Sequence, residues 1–339
     1  MKIGKMILVF MLMALILTSP VSVYANETVT IRIGSIAPKG SPWDKTFKKI
    51  GREWAKITKQ KVKLKIYPGG IAGSEVDMIK KMDEGTLGGA ALVNDGIAHI
   101  YRDIYVLLIP WQFTSDKEFN DVFAKMKPFF EKEIEKKGFK VVGWSLNGWS
   151  RLFSKNPVFY PGDLKKQKLS FTAENPDMAQ AWEVSGFQLA PGDFKDLMMN
   201  LETGKVTSFF LLPFVAIYGE YYTLARNMCT LKVFPLIGGI LLSKETWKNI
   251  PRRYKKQMIK VARRYFDDLY QEVKKLEEEA IEKMEEYDLI RNKLPVDAPK
   301  TWQDAAGKIV DELIGKSFFS KEVYDRVQQY IKEYRRKAK

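Results

Sequence analysis

The chain has 339 residues, with 56 Lys plus Arg against 41 Asp plus Glu, one His and one Cys. A hydrophobic fraction of 45% and a charged fraction of 29% exclude a disordered or fibrous chain, and the length fits roughly two domains. One Cys excludes an intrachain disulfide, and one His excludes multi-His zinc sites and zinc fingers; carboxylate-only calcium or magnesium sites are left open.

Lys2 and Lys5 give a basic start, residues 6–17 are apolar, and Val23-Tyr24-Ala25 ends in small residues where signal peptidase reads. The apolar run is much shorter than the ~20 residues that span a bilayer. Residues 1–25 are therefore expected to be a cleaved signal peptide and the remainder an exported, soluble protein. The formal charge of +15 reads as solvated helix faces, since basic residues recur beside acids, as at Glu279 and Lys283. The densest basic runs are 252–256 and 335–339. Loose attraction to anionic lipid or acidic partners is the second reading. Nucleic acid is not expected, because its binders gather Lys and Arg into one stripe.

Val29, Ile31 and Ile33 alternate with polar residues, the signature of a strand. Ser41-Pro42-Trp43-Asp44 supplies a capping hydroxyl, a first-turn proline and a first-turn acid. Trp43, Phe47, Ile50, Trp54 and Ile57 then mark one face of a helix, and Val62, Leu64 and Ile66 alternate again. A parallel, right-handed βαβ unit follows. The turn 67–75 is Gly-rich and enters a helix at Ser74, but it lacks the Gly-Lys-Ser/Thr of a P-loop and reads as a plain strand–helix turn.

Further along, strands are expected at 90–93, 141–145, 168–172, 207–212 and 237–242. Helices are expected at 117–137, 177–185, 197–202, 302–314 and 323–334, with an apolar run at 106–110. Residues 252–290 form one long charged helix. Trp54 and Trp182 sit at helical spacing and read as core. Alternating strands and helices with a helical tail argue a two-lobed α/β protein.

Catalytic chemistry is poorly supplied. Gly143-Trp144-Ser145-Leu146-Asn147 misses the last Gly of a nucleophile elbow. The sole His, His99, lies among Ile97, Ala98 and Ile100 and reads as a partly buried structural residue; Cys229 reads as a buried small side chain. Glu277-Glu278-Glu279 reads as a solvated face. No catalytic residue, metal or cofactor is assigned, although carboxylates paired by folding stay open.

Several motifs, in order, resemble the extracytoplasmic substrate-binding proteins of tripartite ATP-independent periplasmic (TRAP) transporters, the dicarboxylate-binding DctP type. They are Gly73-Ser74-Glu75, Glu84-Gly85-Thr86, Ile109-Pro110-Trp111-Gln112-Phe113, Pro161-Gly162-Asp163-Leu164-Lys165 with Asn175-Pro176, and Ser243-Lys244-Glu245-Thr246-Trp247 before a long helix. The resemblance implies a two-lobed periplasmic-binding-protein-like fold with mixed sheets, hinge strands and a long C-terminal bracing helix. It divides the chain into 26–145 as lobe I, 146–240 as lobe II, and 241–339 as the strand return, long helix and C-terminal helices. It also implies ligand capture by lobe closure, delivery to membrane permease subunits, and no catalysis.

This sequence departs from the family where charge is expected. Ser170 stands at the position of the Arg that clamps a substrate carboxylate, Ser150 follows Asn147-Gly148-Trp149 with Arg151 one place later, and Gly88 replaces an Asp. Phe209-Phe210-Leu211-Leu212 replaces a polar stretch. A buried carboxylate without its partner is unfavourable by roughly 3–5 kcal/mol, so simple dicarboxylates are disfavoured. The resemblance places the ligand against Trp111, Phe113, Trp149, Arg151, Ser170, Phe171, Asn175, Phe209, Phe210 and Phe214. A hydrophobic or weakly polar small molecule is the expected ligand. The alternative is a periplasmic carrier that docks a lipid or a helical-repeat partner.

Overall fold

The computed structural model describes residues 28–171, 176–315 and 318–338. The expected signal peptide at 1–25, the end of a strand at Thr172 and the candidate ligand residue Asn175 lie outside the described residues.

The opening unit forms as its periodicity predicts. Strand β1 (Val29–Ser35) runs parallel to β2 (Val62–Tyr67), with Val29 opposite Val62 and Gly34 opposite Tyr67. Between them, the helix Pro42–Ile57 starts where Ser41 Oγ accepts the Asp44 N–H at 3.3 Å. It buries Phe47, Ile50 and Trp54 on the sheet, each contributing about 1.5–3 kcal/mol through removal of apolar surface from water. The Gly-rich turn then leads into helix Glu75–Asp83, where Ser74 and Asp77 form a reciprocal capping box.

Strand β3 (Gly89–Val93) extends this sheet in parallel, and β4 (Phe139–Trp149) closes its far edge. Between these two lies β10 (Pro235–Ser243), antiparallel to both, which gives the order β2-β1-β3-β10-β4. The second sheet contains β5 (Arg151–Ser154), β6 (Lys168–Phe171), β7 (Gln188–Pro191), β8 (Ser208–Leu211), β9 (Asn227–Cys229) and β11 (Ile290–Asn292). Its order is β11-β9-β5-β8-β6-β7, again mixed.

The chain passes from the first sheet to the second at Ser150 and returns between β9 and β10. These two crossings are bonded to each other: Ser150 N–H donates to Phe234 O at 3.0 Å, and Val233 N–H donates to Ser150 O at 3.0 Å. The helix Arg252–Glu285 spans both lobes. Met258, Val261, Phe266 and Leu269 pack into the core under the first sheet, while Ile281 and Met284 enter the core of the second. It ends before residue 290 because Asp288 turns left-handed at φ 68° and Ile290 pairs into β11 through Arg226 O. Helix Ala298–Leu313 packs on helix Pro176–Val184, and helix Lys321–Lys337 packs on helix Asp116–Lys136, so the last segments touch both lobes.

Three local expectations change. His99 is exposed rather than partly buried, because helix Asn94–Ile100 turns Ile97, Ala98 and Ile100 inward instead. Glu277 is buried at 7% exposure and accepts the Trp149 N–H at 2.8 Å, so only its neighbours form a solvated face. Glu279 pairs with Lys275, while Lys283 turns to Glu286. The apolar run at 106–110 is largely the end of a 3₁₀ segment, Arg102–Leu108. Cys229 is buried, and burial pushes its thiol up to about 11.

Candidate functional site

A cavity of about 840 Å³ opens between the two sheets. One wall is built at the carboxyl ends of the parallel strands β1 and β3, the usual location of a ligand crevice in an open α/β sheet. Ser35 and Ile36 come from the end of β1, and Ala91 to Val93 from β3. Ser145 and Asn147 of β4 form a polar margin. The opposite wall is Leu212 and helix Pro213–Tyr218, presenting Phe214, Val215 and Tyr218. Leu276 of the long helix also contributes.

Trp43 enters the cavity because of how its helix begins. The Ser41 cap and Pro42 fix the first turn, and Gly40, at φ 83°, donates its N–H to buried Asp44 at 2.7 Å. The Trp43 Nε1–H then donates to Asn147 Oδ1 at 2.8 Å, and the indole lies 5.2 Å from the Phe214 ring, centroid to centroid. An apolar surface with a few placed polar groups is the usual make-up of a small-molecule site. Among the described lining residues only Lys39 is charged, and it is exposed.

Of the expected ligand residues within the described segments, Phe214 lines this cavity. Trp111 is buried, with rings of Trp302 at 4.4 Å, Trp182 at 6.0 Å and Phe210 at 6.2 Å. Its backbone is left-handed at φ 57°, a conformation that costs a bulky residue about 1–3 kcal/mol. The Trp111 N–H bond to Val233 O at 2.7 Å and the surrounding rings hold it there. Phe113 and Trp149 pack on Phe119 in the first lobe. Phe209 stacks on Phe153 at 5.3 Å in the core of the second lobe, on the opposite face of β8 from Phe210. Ser170 and Phe171 are half-buried at the end of β6, opposite Ala190 and Pro191 of β7.

Arg151 does not line the cavity. Its Nη1 donates to Thr230 O at 2.7 Å, and its Nε has no hydrogen-bond partner among the described residues. Burial draws the guanidinium below its ordinary value, opposed mainly by the nearby Glu277 carboxylate. Asp116 receives Lys232 and, at 3.4 Å, Lys274. Arg151 thus belongs to a half-buried ionic group beside the lobe crossings, in which only Glu277 is fully buried.

The sequence reading did not assign Trp43, Asn147, Leu212 or Tyr218 to the site. Trp43 was legible there in principle, because it sits in the first turn of the helix that follows β1. Its helical spacing with Phe47 and Ile50 pointed to the core instead. Among the described residues no group of three or more His, Cys, Asp or Glu side chains could hold a metal ion, and no helix is long and apolar enough to cross a membrane.

Two mixed sheets, paired crossing strands and a cleft between them define a two-lobed ligand-binding protein. A family profile described as bacterial extracellular solute-binding protein, family 7 (DctP), matches residues 33–317, and the chain belongs to that family. Its fold is that of a TRAP periplasmic solute-binding protein from Ochrobactrum anthropi (TM-score 0.82, 18% identity, 92% of this chain and 97% of that one). A protein of the same description from Desulfovibrio salexigens, with bound orotic acid, is similarly close (TM-score 0.77, 16% identity, 91% and 99%). Among curated proteins, the 2,3-diketo-L-gulonate-binding periplasmic protein of Escherichia coli is 28% identical over 148 residues, 43% of this chain and 45% of that protein. The chain spans about half the length of the curated relatives it matches.

Proposed function

We propose that this protein is a periplasmic binding component of a TRAP-type transporter, exported by cleavage of residues 1–25, that captures a small hydrophobic or weakly polar molecule. The ligand occupies the cavity between Trp43 and Phe214, closure of the lobes encloses it, and a membrane permease receives it. The hinge lies at Ser150 and the paired return strand, with lobe boundaries near residues 145 and 240. The protein catalyses no reaction in this role.

One observation carries the reading: Lys39 is the only charged group among the described residues lining the cavity. Orotic acid, held by the Desulfovibrio protein, is a carboxylate, as is the 2,3-diketo-L-gulonate named for the Escherichia coli protein. Here Ser170 cannot form the bidentate guanidinium pair such a ligand favours, and Arg151 is engaged with Thr230 O. Within the aromatic set, Phe214 contacts the ligand. Trp111 and Phe210 act at one remove, bracing the return strand through Val233 O and the Phe234 ring.

Native mass spectrometry of freshly purified protein, followed by identification of the released molecule, tests this. An apolar or weakly polar molecule is expected. A small dicarboxylate bound stoichiometrically would overturn the apolar assignment and point to Lys39 as its cationic partner.

A further inference from the structure

Folding gathers the positive charge of this chain onto one face of the first lobe. The sequence shows two basic segments almost 200 residues apart, 45–59 and 252–264. Together they hold thirteen Lys and Arg against one acid, Glu53, a net +12 out of +15 for the whole chain. The structure packs them side by side. Helix Pro42–Ile57 and the first part of helix Arg252–Glu285 lie on the same face of the first sheet, sharing one core, and Trp54 Nε1–H donates to Met258 O at 2.9 Å.

On each helix the buried residues face the sheet, and the basic residues recur at helical spacing on the other side. Lys45, Lys48, Lys49, Arg52 and Lys56 are exposed along the first helix. Arg252, Arg253, Lys256, Lys260, Arg263 and Arg264 are exposed along the second. Each stripe runs about 17 Å at the helical rise. Few of these charges are neutralised: Lys48 pairs with Asp44 at 2.7 Å, and Arg263 approaches Glu131 at 3.5 Å. Half-buried aromatic rings lie between them, with Lys255 over Trp247, Arg253 over Tyr254 and Arg264 over Tyr265 at 4.7–5.1 Å.

We propose that this face docks on the surface of an anionic phospholipid membrane, whatever the cleft holds. A broad array of long, mostly unpaired cations suits a diffuse field of phosphate headgroups better than a few carboxylates in fixed positions. Interleaved Trp and Tyr are the side chains that favour the headgroup level, where one end is apolar and the other wet. The binding is peripheral, and no helix among the described residues is apolar enough to insert across the bilayer. Docking through the first lobe restricts the protein's search for its transporter to two dimensions.

The test is vesicle co-sedimentation of the purified protein. Vesicles of phosphatidylcholine alone are compared with vesicles containing about a third phosphatidylglycerol, in salt rising from about 50 to about 300 mM. Binding to the anionic vesicles, lost as salt rises, is expected. The quadruple variant Lys49→Gln, Arg52→Gln, Lys256→Gln, Lys260→Gln removes charges that form no ion pair, hydrogen bond or ring contact among the described residues, so its melting temperature is expected to match the parent. Its partition onto anionic vesicles should fall by about a hundredfold or more. Equal binding to neutral vesicles, or a variant that binds as well as the parent, overturns the proposal. So does retention only by native membranes that still carry their proteins, which would assign the face to an acidic protein partner.

Discussion

The indole of Trp43 is tethered to Asn147 by a 2.8 Å hydrogen bond across 104 residues of sequence. The bond fixes the ring at the margin of the cleft, opposite Phe214, and gives the indole N–H a partner that the apolar wall does not supply. First helix, fourth strand and second-lobe helix thereby meet at one point of the cavity.

Phe214→Ala removes one side of that aromatic pair. An aromatic contact is worth about 0.5–1.5 kcal/mol beyond its buried area, so binding of an apolar environment-sensitive dye should weaken about tenfold. Thermal unfolding followed on the same sample should change little, because Phe214 is only half-buried. Unchanged dye affinity would remove Phe214 from the binding surface.

Arg335→Ala takes the cation from a buried carboxylate that otherwise keeps, among the described residues, only the Thr114 N–H and hydroxyl on its Oε2. Glu118 is fully buried, and Arg335 Nε donates to its Oε1 at 2.6 Å while Nη2 donates to Gln112 O at 2.8 Å. Loss of the partner should destabilise the fold by about 1.5–3 kcal/mol in urea unfolding. Adding Glu118→Gln should recover part of that loss; a double variant no better than the single would mean that Arg335 acts through packing.

Gly148→Ala strikes the crossing itself. Gly148 has φ 113°, and an added Cβ would lie 2.9 Å from Glu277 Oε1 and 3.2 Å from Leu212 Cδ2. A destabilisation of more than about 1 kcal/mol is expected in chemical unfolding. A stability equal to the parent's would show that the crossing relaxes without penalty.

Glu277 sets a pH dependence of stability. Burial raises its carboxyl above the ordinary value of 4.5, against the lowering effects of the Trp149 N–H, Arg151 and Lys232. The folded state therefore holds a proton that the unfolded chain releases first. Its contribution to stability falls as pH rises from 4.5 through the raised folded value, and the penalty is complete above that value. Glu277→Gln keeps an acceptor for the Trp149 N–H without the ionisation. The stability of this variant minus that of the parent, from urea unfolding at several pH values, should climb with pH over that interval. A difference that falls with pH would mean that pairing with Arg151 outweighs burial.

Local pattern carried much of the fold. Ser41, Pro42 and the Trp43, Phe47, Ile50, Trp54 spacing mark a helix whose cap and buried face are as expected, and the flanking alternations pair in parallel. The insertion of β10 between β3 and β4 was not legible, because a strand's neighbours depend on contacts more than 80 residues away and its own apolar run only says that both faces are covered. The site was harder still. A Trp at core spacing and a Trp at a cleft margin look alike in sequence, and what separates them at Trp43 is the distant Asn147. Arg335 shows the same limit: within a basic C-terminal run it reads as solvated, yet its partner is a buried acid 217 residues earlier.

That long reach bears on how the molecule is made. The first lobe takes an interior strand, β10, from a segment that follows the second sheet's β9, and its buried Glu118 waits for Arg335 near the end of the chain. Neither lobe can mature early while the rest is being synthesised, because its interior is missing pieces not yet translated. Contacts this remote slow folding through their loop-closure entropy. A nascent chain that stays unfinished until its last turn of helix emerges also stays threadable, the state in which a narrow translocation channel accepts a polypeptide.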